Sequence, residues 1–442
     1  MFEKNQKKVH TITFGCQMSE RDAETLTTIS TKQGYQRTEH PEEADLIIIN
    51  TCCVRESAEN KIIGKIGQLK KLKQSKPDLK IAVTGCMIQQ PGMVEKLKKK
   101  ASHVDIWTGT FDYHKFEELL SLSEKGEKVA LVSEDFSNSK EVAPLAEKGK
   151  LKANVNIMYG CDNYCAYCIV PYVRGRERSR PKEVIIGELQ ALAQSGCKEV
   201  TLLGQNVNSY GRKDNFGYDF ADLLKEVDKT SNIERIRFTT SHPKDLTDKL
   251  IDTVANGKHL CEHFHFPFQA GSNKILKAMN RKYTREYYLE RAEQILKTIP
   301  EARLTTDIIV GFPGETEEDF EQTLDLVQKI PFSQAFTFMF SKRSGTVAAN
   351  LPNQVPLEVK KSRLQRLMEL QNSRSLEWRL KMIDKEYEVL VEGPSKTNPD
   401  LLSGRTRGNE LVVLNGNPGL IGQLVMVKIV NANSWTLFGS LV

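Results

Sequence analysis

From Val9 to about residue 376, short runs rich in Val, Ile, Leu and Phe alternate with longer stretches of helical period. That alternation restricts the chain to parallel sheets whose strands are joined by helical crossovers. In the first part the spacing predicts strands at Val9–Phe14, Asp45–Asn50, Lys80–Thr84 and Val104–Thr108. Helices are predicted at Glu20–Gln33, stopped by Gly34, and at Val54–Lys73, Pro91–Lys100 and Tyr113–Leu120. The expected product is a doubly wound parallel α/β domain over residues 7–122.

Each of the first three predicted strands runs into a cysteine: Phe14-Gly15-Cys16, Asn50-Thr51-Cys52 and Gly85-Cys86. The carboxyl ends of parallel strands lie on one edge, where ligands of open α/β sheets bind. Residues far apart in the chain therefore converge there, and Gly15 and Gly85 let the backbone approach closely. Three gathered thiolates are a ligand set for an iron–sulfur cluster. Cysteines are often simply buried, but a repeat after successive strands argues for a site. Cys53 leaves the second ligand open between itself and Cys52, which holds the same turn position as the other two.

A polar, lysine-rich stretch follows (123–150), read as a linker with a short strand at Val129–Val132. Beyond it six further runs read as strands: Ala153–Met158, Glu199–Gly204, Arg235–Thr239, His263–Phe268, Leu304–Val310 and Gln334–Phe340. Helical patterns fall at 181–196, 218–229, 243–256, 272–298, 315–329 and 356–376. Six such units predict a partial (β/α) barrel over 151–376, with function in the loops after the strands. The loop after the first strand carries Cys161, Cys165 and Cys168 in a C-x3-C-x2-C arrangement. Three thiolates hold three corners of a cubane, and the iron left without a protein ligand is open to a small molecule. A zinc site lacking a distant ligand, or unrelated cysteines, are the alternatives; zinc ligands usually come as C-x2-C pairs.

With Tyr167 before its last cysteine, the triplet resembles the radical S-adenosylmethionine (SAM) enzymes. The resemblance implies a [4Fe-4S] cluster whose open iron chelates SAM and whose electron releases a 5′-deoxyadenosyl radical. Gly15-Cys16-Gln17-Met18, Asn50-Thr51-Cys52-Cys53-Val54-Arg55-Glu56 and Thr84-Gly85-Cys86 resemble the methylthiotransferase family. Gln17-Met18 and Val54-Arg55-Glu56 are similar to its MiaB-type tRNA branch in particular. Ser19 and Cys53 depart from that branch, which usually has Asn and Ser there. The resemblance implies a second, auxiliary [4Fe-4S] cluster on Cys16, Cys52 and Cys86. It implies a methylthio group placed on C2 of N6-isopentenyladenosine at tRNA nucleotide 37, with one SAM as methyl donor and a second as radical source. No catalytic residue is expected beyond the cluster ligands. A flavodoxin or ferredoxin-like protein is the expected electron donor. Within the class, the alternatives act on threonylcarbamoyladenosine in tRNA or on an aspartate of a ribosomal protein. Outside it stand an iron–sulfur protein that binds tRNA without chemistry and a zinc-binding RNA regulator.

Other motifs are weaker. Gly204-Gln205-Asn206-Val207-Asn208 and Asp307-Ile-Ile-Val-Gly311-Phe-Pro-Gly314 follow strands and read as SAM contacts or as ordinary turns. Cys261, His263 and His265 alternate onto one strand face. His265-Phe-Pro-Phe-Gln269-Ala-Gly271-Ser272 resembles a family stretch, so these histidines read as lumen side chains rather than metal ligands. Cys197 reads as packing. Arg174, Arg176, Arg178 and Arg180 fall at every second position, and an extended segment would put them on one face for an RNA backbone. After Asp384 short strands at Tyr387–Val391, Leu411–Leu414, Leu424–Ile429 and Thr436–Gly439 predict a small β-barrel over 380–442. Arg405 and Arg407 stand at a predicted turn there, and this segment resembles the RNA-binding TRAM domain. Dimerisation or packing is its other reading.

The 442 residues carry a net charge of +6, which permits a nucleic-acid partner. The N-terminus has no apolar segment of signal-peptide type and no run approaches a membrane span. The expectation is a cytoplasmic enzyme with no membrane partner. In a reducing compartment its nine cysteines are ligands or core residues rather than disulfides.

Overall fold

The computed structural model describes residues 6–53, 56–136 and 139–442, without the side chains of 56–58 and 60. Val54 and Arg55, which carry part of the Val54-Arg55-Glu56 signature and the predicted start of a helix, lie outside the described residues. That helix is described as Glu56–Ser75. The chain divides into two compact units. One comprises residues up to Ala146 with 159–162 and 169–177; the other comprises 147–158, 163–168 and 178–442.

The first unit is built on a six-stranded sheet in the order Gln36–Arg37, Lys8–Thr13, Leu46–Thr51, Lys80–Gly85, Ile106–Thr108, Val129–Leu131. Every pairing is parallel. Alternate residues of the central strands enter two apolar cores: Ile47, Ile49, Ile81 and Val83 on one face, Leu46, Ile48 and Ala82 on the other. Burial on both faces explains the unbroken Leu-Ile-Ile-Ile run, since a sheet covered by helices on each side has no polar face. The register aligns Thr13 with Asn50, Thr84 and Thr108, so the strands stop together at one edge. Two strands differ from expectation. Gln36–Arg37 is short and exposed, with no apolar pattern to betray it, and Val129–Leu131, placed in a linker by its polar neighbours, is the outer strand of this sheet.

The second unit holds six parallel barrel strands in two groups of three. Lys152–Asn156, Glu199–Leu203 and Arg235–Thr239 form one group; His263–His265, Arg303–Val310 and Phe332–Met339 form the other. A bridge between Ile236 and Leu260 joins them. One large apolar core includes Val155, Leu202, Phe238, Phe264 and Ile308 from successive strands. The helix expected at 272–298 is two helices, Asn273–Ala278 and Arg285–Thr298. Asn280 adopts φ 58° between them, and the Thr284 hydroxyl accepts a hydrogen bond from the Tyr287 N–H at 3.3 Å, starting the second.

The long helix Leu357–Leu380 leads into a closed five-stranded barrel. Its strands are Glu386–Pro394, Leu402–Thr406, Leu411–Leu414, Leu424–Ala432 and Leu437–Leu441. Leu402–Thr406 is the barrel strand that sequence reasoning missed, because Gly404-Arg405-Thr406-Arg407-Gly408-Asn409 read as a turn. Gly404 is there for space: a Cβ would lie 2.3 Å from the Leu390 carbonyl oxygen. Arg405 therefore stands in a strand, not at a turn.

Candidate iron–sulfur and SAM sites

The three strand-end cysteines of the first unit are placed by tight backbone. Gly15 has φ 150°, and a Cβ on it would come within 2.7 Å of the Cys52 Cβ. Gly85 has φ 102°, and its Cβ would lie 2.3 Å from the Thr51 carbonyl oxygen. Both turns therefore require glycine. The Cys86 N–H donates to that same Thr51 carbonyl at 3.0 Å, which locks the second and third cysteine turns together. Cys16 caps the helix Gln17–Lys32, whose N-terminal dipole favours a thiolate. Ser19, the residue that departs from the usual Asn, lies with its hydroxyl 3.7 Å from the Cys16 sulfur.

Both cysteines of the adjacent pair face this edge. A hydrogen bond from Cys52 holds the Cys16 thiol well below its ordinary pKa, and the charge of Arg174 adds to it; Cys16 itself is exposed at the sheet edge. A hydrogen bond from Cys53 likewise lowers Cys86, again helped by Arg174. The same bond, with burial, pushes the Cys53 thiol well up. Each of these two lowered thiols thus stands beside a second cysteine, Cys52 or Cys53, and both neighbours are candidates for the third position.

Arg174 is 6% exposed. Its Nε donates to the Cys86 sulfur at 3.1 Å. Its two terminal nitrogens donate to the Asp22 carboxylate at 3.2 and 2.5 Å. Burial opposes the guanidinium charge, but Asp22 and Cys86 outweigh it and keep the group firmly protonated. The Tyr113 hydroxyl lies 3.5 Å from both Asp22 and Asn50. Low-pKa thiols beside a buried cation are the donor chemistry that a cluster needs, so the residues present fit one. Among the described residues no three His, Cys, Asp or Glu side chains are grouped as around a single metal ion. A cubane makes no such demand, since its ligands bind different irons.

Of the C-x3-C-x2-C loop, Cys161 belongs to the first unit and Cys165 and Cys168 to the second. Gly160 precedes Cys161 with φ 70°, and the Cys161 N–H donates to the Gly175 carbonyl at 3.2 Å. In the second unit Tyr164 adopts φ 48° and the Cys168 N–H donates to the Cys165 carbonyl at 2.9 Å. Asn280 donates to the carbonyls of Asn163 and Tyr164 at 3.2 and 2.8 Å. Arg281 supplies a hydrogen bond of 3.4 Å to the Cys165 sulfur, and it also donates to the Tyr283 hydroxyl and the Pro267 carbonyl at 3.1 and 2.9 Å. Neither Arg174 as a sulfur partner nor Arg281 was found by sequence reasoning; each lies far along the chain from its cysteine, and no spacing rule connects them.

Strained backbone gathers after the barrel strands. Thr240 (φ 73°), Gln269 (φ 69°) and Gly311 (φ 71°) are left-handed, and Thr240 is a β-branched residue for which this is costly. Asn206 donates to Asp245 at 2.7 Å and accepts from the His242 N–H at 3.1 Å, so its polar turn is a fixed element. The Gly311 N–H donates to Glu315 at 2.6 Å, and Arg363 donates to the same carboxylate at 2.8 Å. His263 and His265 share the Thr305 hydroxyl at 3.1 and 3.0 Å, and His265 lies 3.3 Å from Asp307. Cys197 donates to the Glu199 carbonyl at 3.3 Å within the core.

The four arginines after the triplet do not form an extended row. Arg174 ends a short helix, Val170–Arg174, and Arg180 is buried, paired to Glu188 at 2.8 Å. The Arg176 side chain is 61% exposed and pairs with Asp162 at 2.7 Å. In the tail, Arg407 grips Glu262 at 2.6 Å and the Leu260 carbonyl at 2.5 Å, while Arg405 donates to the Asn409 carbonyl at 2.9 Å. Arg174 is thus committed inside the protein by the buried Asp22, whereas Arg407 and its partner Glu262 are both partly exposed.

Residues 155–327 match the Radical SAM superfamily, residues 8–109 Uncharacterized protein family UPF0004, and residues 380–442 the TRAM domain. The fold resembles the radical S-adenosylmethionine methyltransferase TsrM from Kitasatospora setae, with TM-score 0.57 and 12% identity over 78% of this chain and 77% of that one. It also resembles the cobalamin-dependent S-adenosylmethionine radical enzyme OxsB, with TM-score 0.52 and 12% identity over 84% of this chain and 56% of that one. The chain carries the architecture of a radical SAM enzyme. It is 65% identical to the tRNA-2-methylthio-N(6)-dimethylallyladenosine synthase of Desulfitobacterium hafniense, over 98% of this chain and 97% of that protein. To the synthases of Acetivibrio thermocellus and Moorella thermoacetica it is 53% and 51% identical, over 99% of this chain and 92% and 99% of theirs. The chain belongs to this family of tRNA methylthiotransferases, which use SAM and [4Fe-4S] clusters.

Proposed function

We propose that this chain converts N6-isopentenyladenosine (dimethylallyladenosine) at nucleotide 37 of tRNA to its 2-methylthio derivative. The observation that carries the reading is the parallel register that stops three cysteine-bearing strands at one edge, in a chain that also holds the C-x3-C-x2-C loop. Cys161, Cys165 and Cys168 would hold the cluster that binds SAM, and Cys16, Cys52 and Cys86 the auxiliary one. When bound, these groups would supply the reducing electron and the radical that a C2–H bond demands, since acid–base chemistry alone does not reach it.

The chain's own residues position and insulate. Arg281 and Asn280 pin the loop bearing Cys165. Thr240, Gln269 and Gly311 turn the backbone at the strand ends where a SAM adenosine would lie. Arg176, exposed although it pairs with Asp162, is assigned to the RNA backbone together with Arg405. The functional regions are residues 7–122, 151–376 and 380–442, with 123–150 between them. A flavodoxin or ferredoxin-like donor and a cytoplasmic location complete the reading. Among the described residues no helix is long and apolar enough to cross a membrane.

The test is mass analysis of tRNA nucleosides from cells with and without the gene. Loss of 2-methylthio-isopentenyladenosine, with accumulation of its unmethylthiolated precursor, is the expected outcome. Persistence of that nucleoside with loss of the threonylcarbamoyl analogue would move the assignment to the other tRNA branch. No change in either would remove the tRNA reading altogether.

A further inference from the structure

Asp22, Arg174 and Cys86 form one chain of hydrogen bonds inside the first unit. Asp22 takes both terminal nitrogens of Arg174, which fixes the plane of the guanidinium. The remaining Nε–H then points at the Cys86 sulfur at 3.1 Å. A buried ion pair is seldom a gain over apolar residues of similar size, yet here it stands beside a strand-end cysteine. Tyr113 extends the network to Asn50, on the strand that leads to Cys52.

We propose that Arg174, oriented by Asp22, is a positioning residue that sets the reduction potential of the N-terminal cluster through Cys86. A cluster gains negative charge on reduction, and part of that charge resides on its thiolate sulfurs. An N–H···S bond from a fixed cation in a low-dielectric site stabilises the reduced form more than the oxidised one. The Asp22 carboxylate cancels the long-range field of Arg174 but not its short contact with sulfur. The effect is therefore local to Cys86. Lysine would keep the charge but lose the planar fork that aims it.

The inference rests on Cys16, Cys52 and Cys86 being cluster ligands, and the experiment separates the two. The full-length protein with Cys161, Cys165 and Cys168 changed to Ala is reconstituted anaerobically, so that only the N-terminal cluster is observed. Iron and sulfide are counted, and the midpoint potential is followed by electron paramagnetic resonance. Arg174→Gln is expected to keep the cluster and shift the potential negative by at least a tenfold change in the reduction equilibrium, about 59 mV for one electron. Arg174→Lys is expected to give a smaller shift of the same sign, and Asp22→Asn, which uncovers the charge of Arg174, a positive shift. If Arg174→Gln does not load, these two variants decide, each on its own expected sign. An unchanged potential in the loaded variants, or failure of all three to hold a cluster, overturns the proposal. No cluster in the parent protein overturns the ligand reading instead.

Discussion

At the residue scale the open question was which of two neighbouring cysteines faces the site, and the structure shows that both do. Cys52 bonds to Cys16 and Cys53 to Cys86. Cys52 directly follows the strand Leu46–Thr51, as Cys86 directly follows Lys80–Gly85, whereas Cys53 lies one residue further on. Cys53→Ser is therefore expected to retain the iron of the N-terminal cluster, and Cys52→Ala to lose most of it, by iron and sulfide analysis in the background lacking the second triplet. Equal loss from both would mean that the pair shares the position. The cysteines themselves were legible in the sequence because their chemistry is rare. Their charged neighbours were not, because Arg174 looks like any basic surface residue until Asp22 is seen beneath it.

At the scale of elements, the loops after the barrel strands hold most of what periodicity could not supply. Strand positions followed from short apolar runs. The break between Ala278 and Arg285 did not, because Asn280 and Thr284 act through backbone geometry rather than hydrophobicity. The loop after Arg303–Val310 shows a titration that only tertiary contact creates. Burial raises the Glu315 carboxyl to about 7, against the pull of the Gly311 N–H and of Arg363. The native state then binds a proton more tightly than the unfolded chain, so this group's stabilisation is complete below its unfolded pKa and is lost as pH rises toward 7. The loss amounts to at most about 3 kcal/mol. Glu315→Gln is expected to flatten the fall in thermal stability between about pH 5 and pH 7. An unaltered slope in calorimetry would show that Arg363 keeps the carboxylate ionised throughout.

At the scale of the whole molecule, the second unit joins its barrel and its tail through charged side chains. Arg235, with its side chain fully buried, pairs with Glu388 at 2.7 Å and donates to the Arg405 carbonyl at 2.6 Å. Arg237 donates to the carbonyls of Arg407 and Thr406 at 2.6 and 2.7 Å, and Arg379 from the connecting helix pairs with Glu410 at 2.8 Å. Such an interface fixes one orientation, since each guanidinium needs its own acceptors. Removing one partner leaves buried groups unpaired. Arg235→Ala should cost about 3 kcal/mol, the lower part of the range because Glu388 is partly exposed. It should also speed proteolytic release of the tail after the helix Leu357–Leu380, compared with the unchanged protein. A tail that stays equally protected would show that the apolar contacts alone hold it.

The amino-acid sequence by itself determined the order of strands and helices, the parallel sheets, and the two sets of cysteines. These follow from periodicity and from rare chemistry at strand ends, both of which are local. Only the tertiary structure decided the Val129–Leu131 and Leu402–Thr406 pairings, the places of Arg174 and Arg407, and the sulfur contacts of Arg174 and Arg281. Their causes are long-range: a strand edge that must be paired, a buried carboxylate that must be neutralised, and a thiolate that must be stabilised. None of these leaves a mark within a few residues of the group it governs.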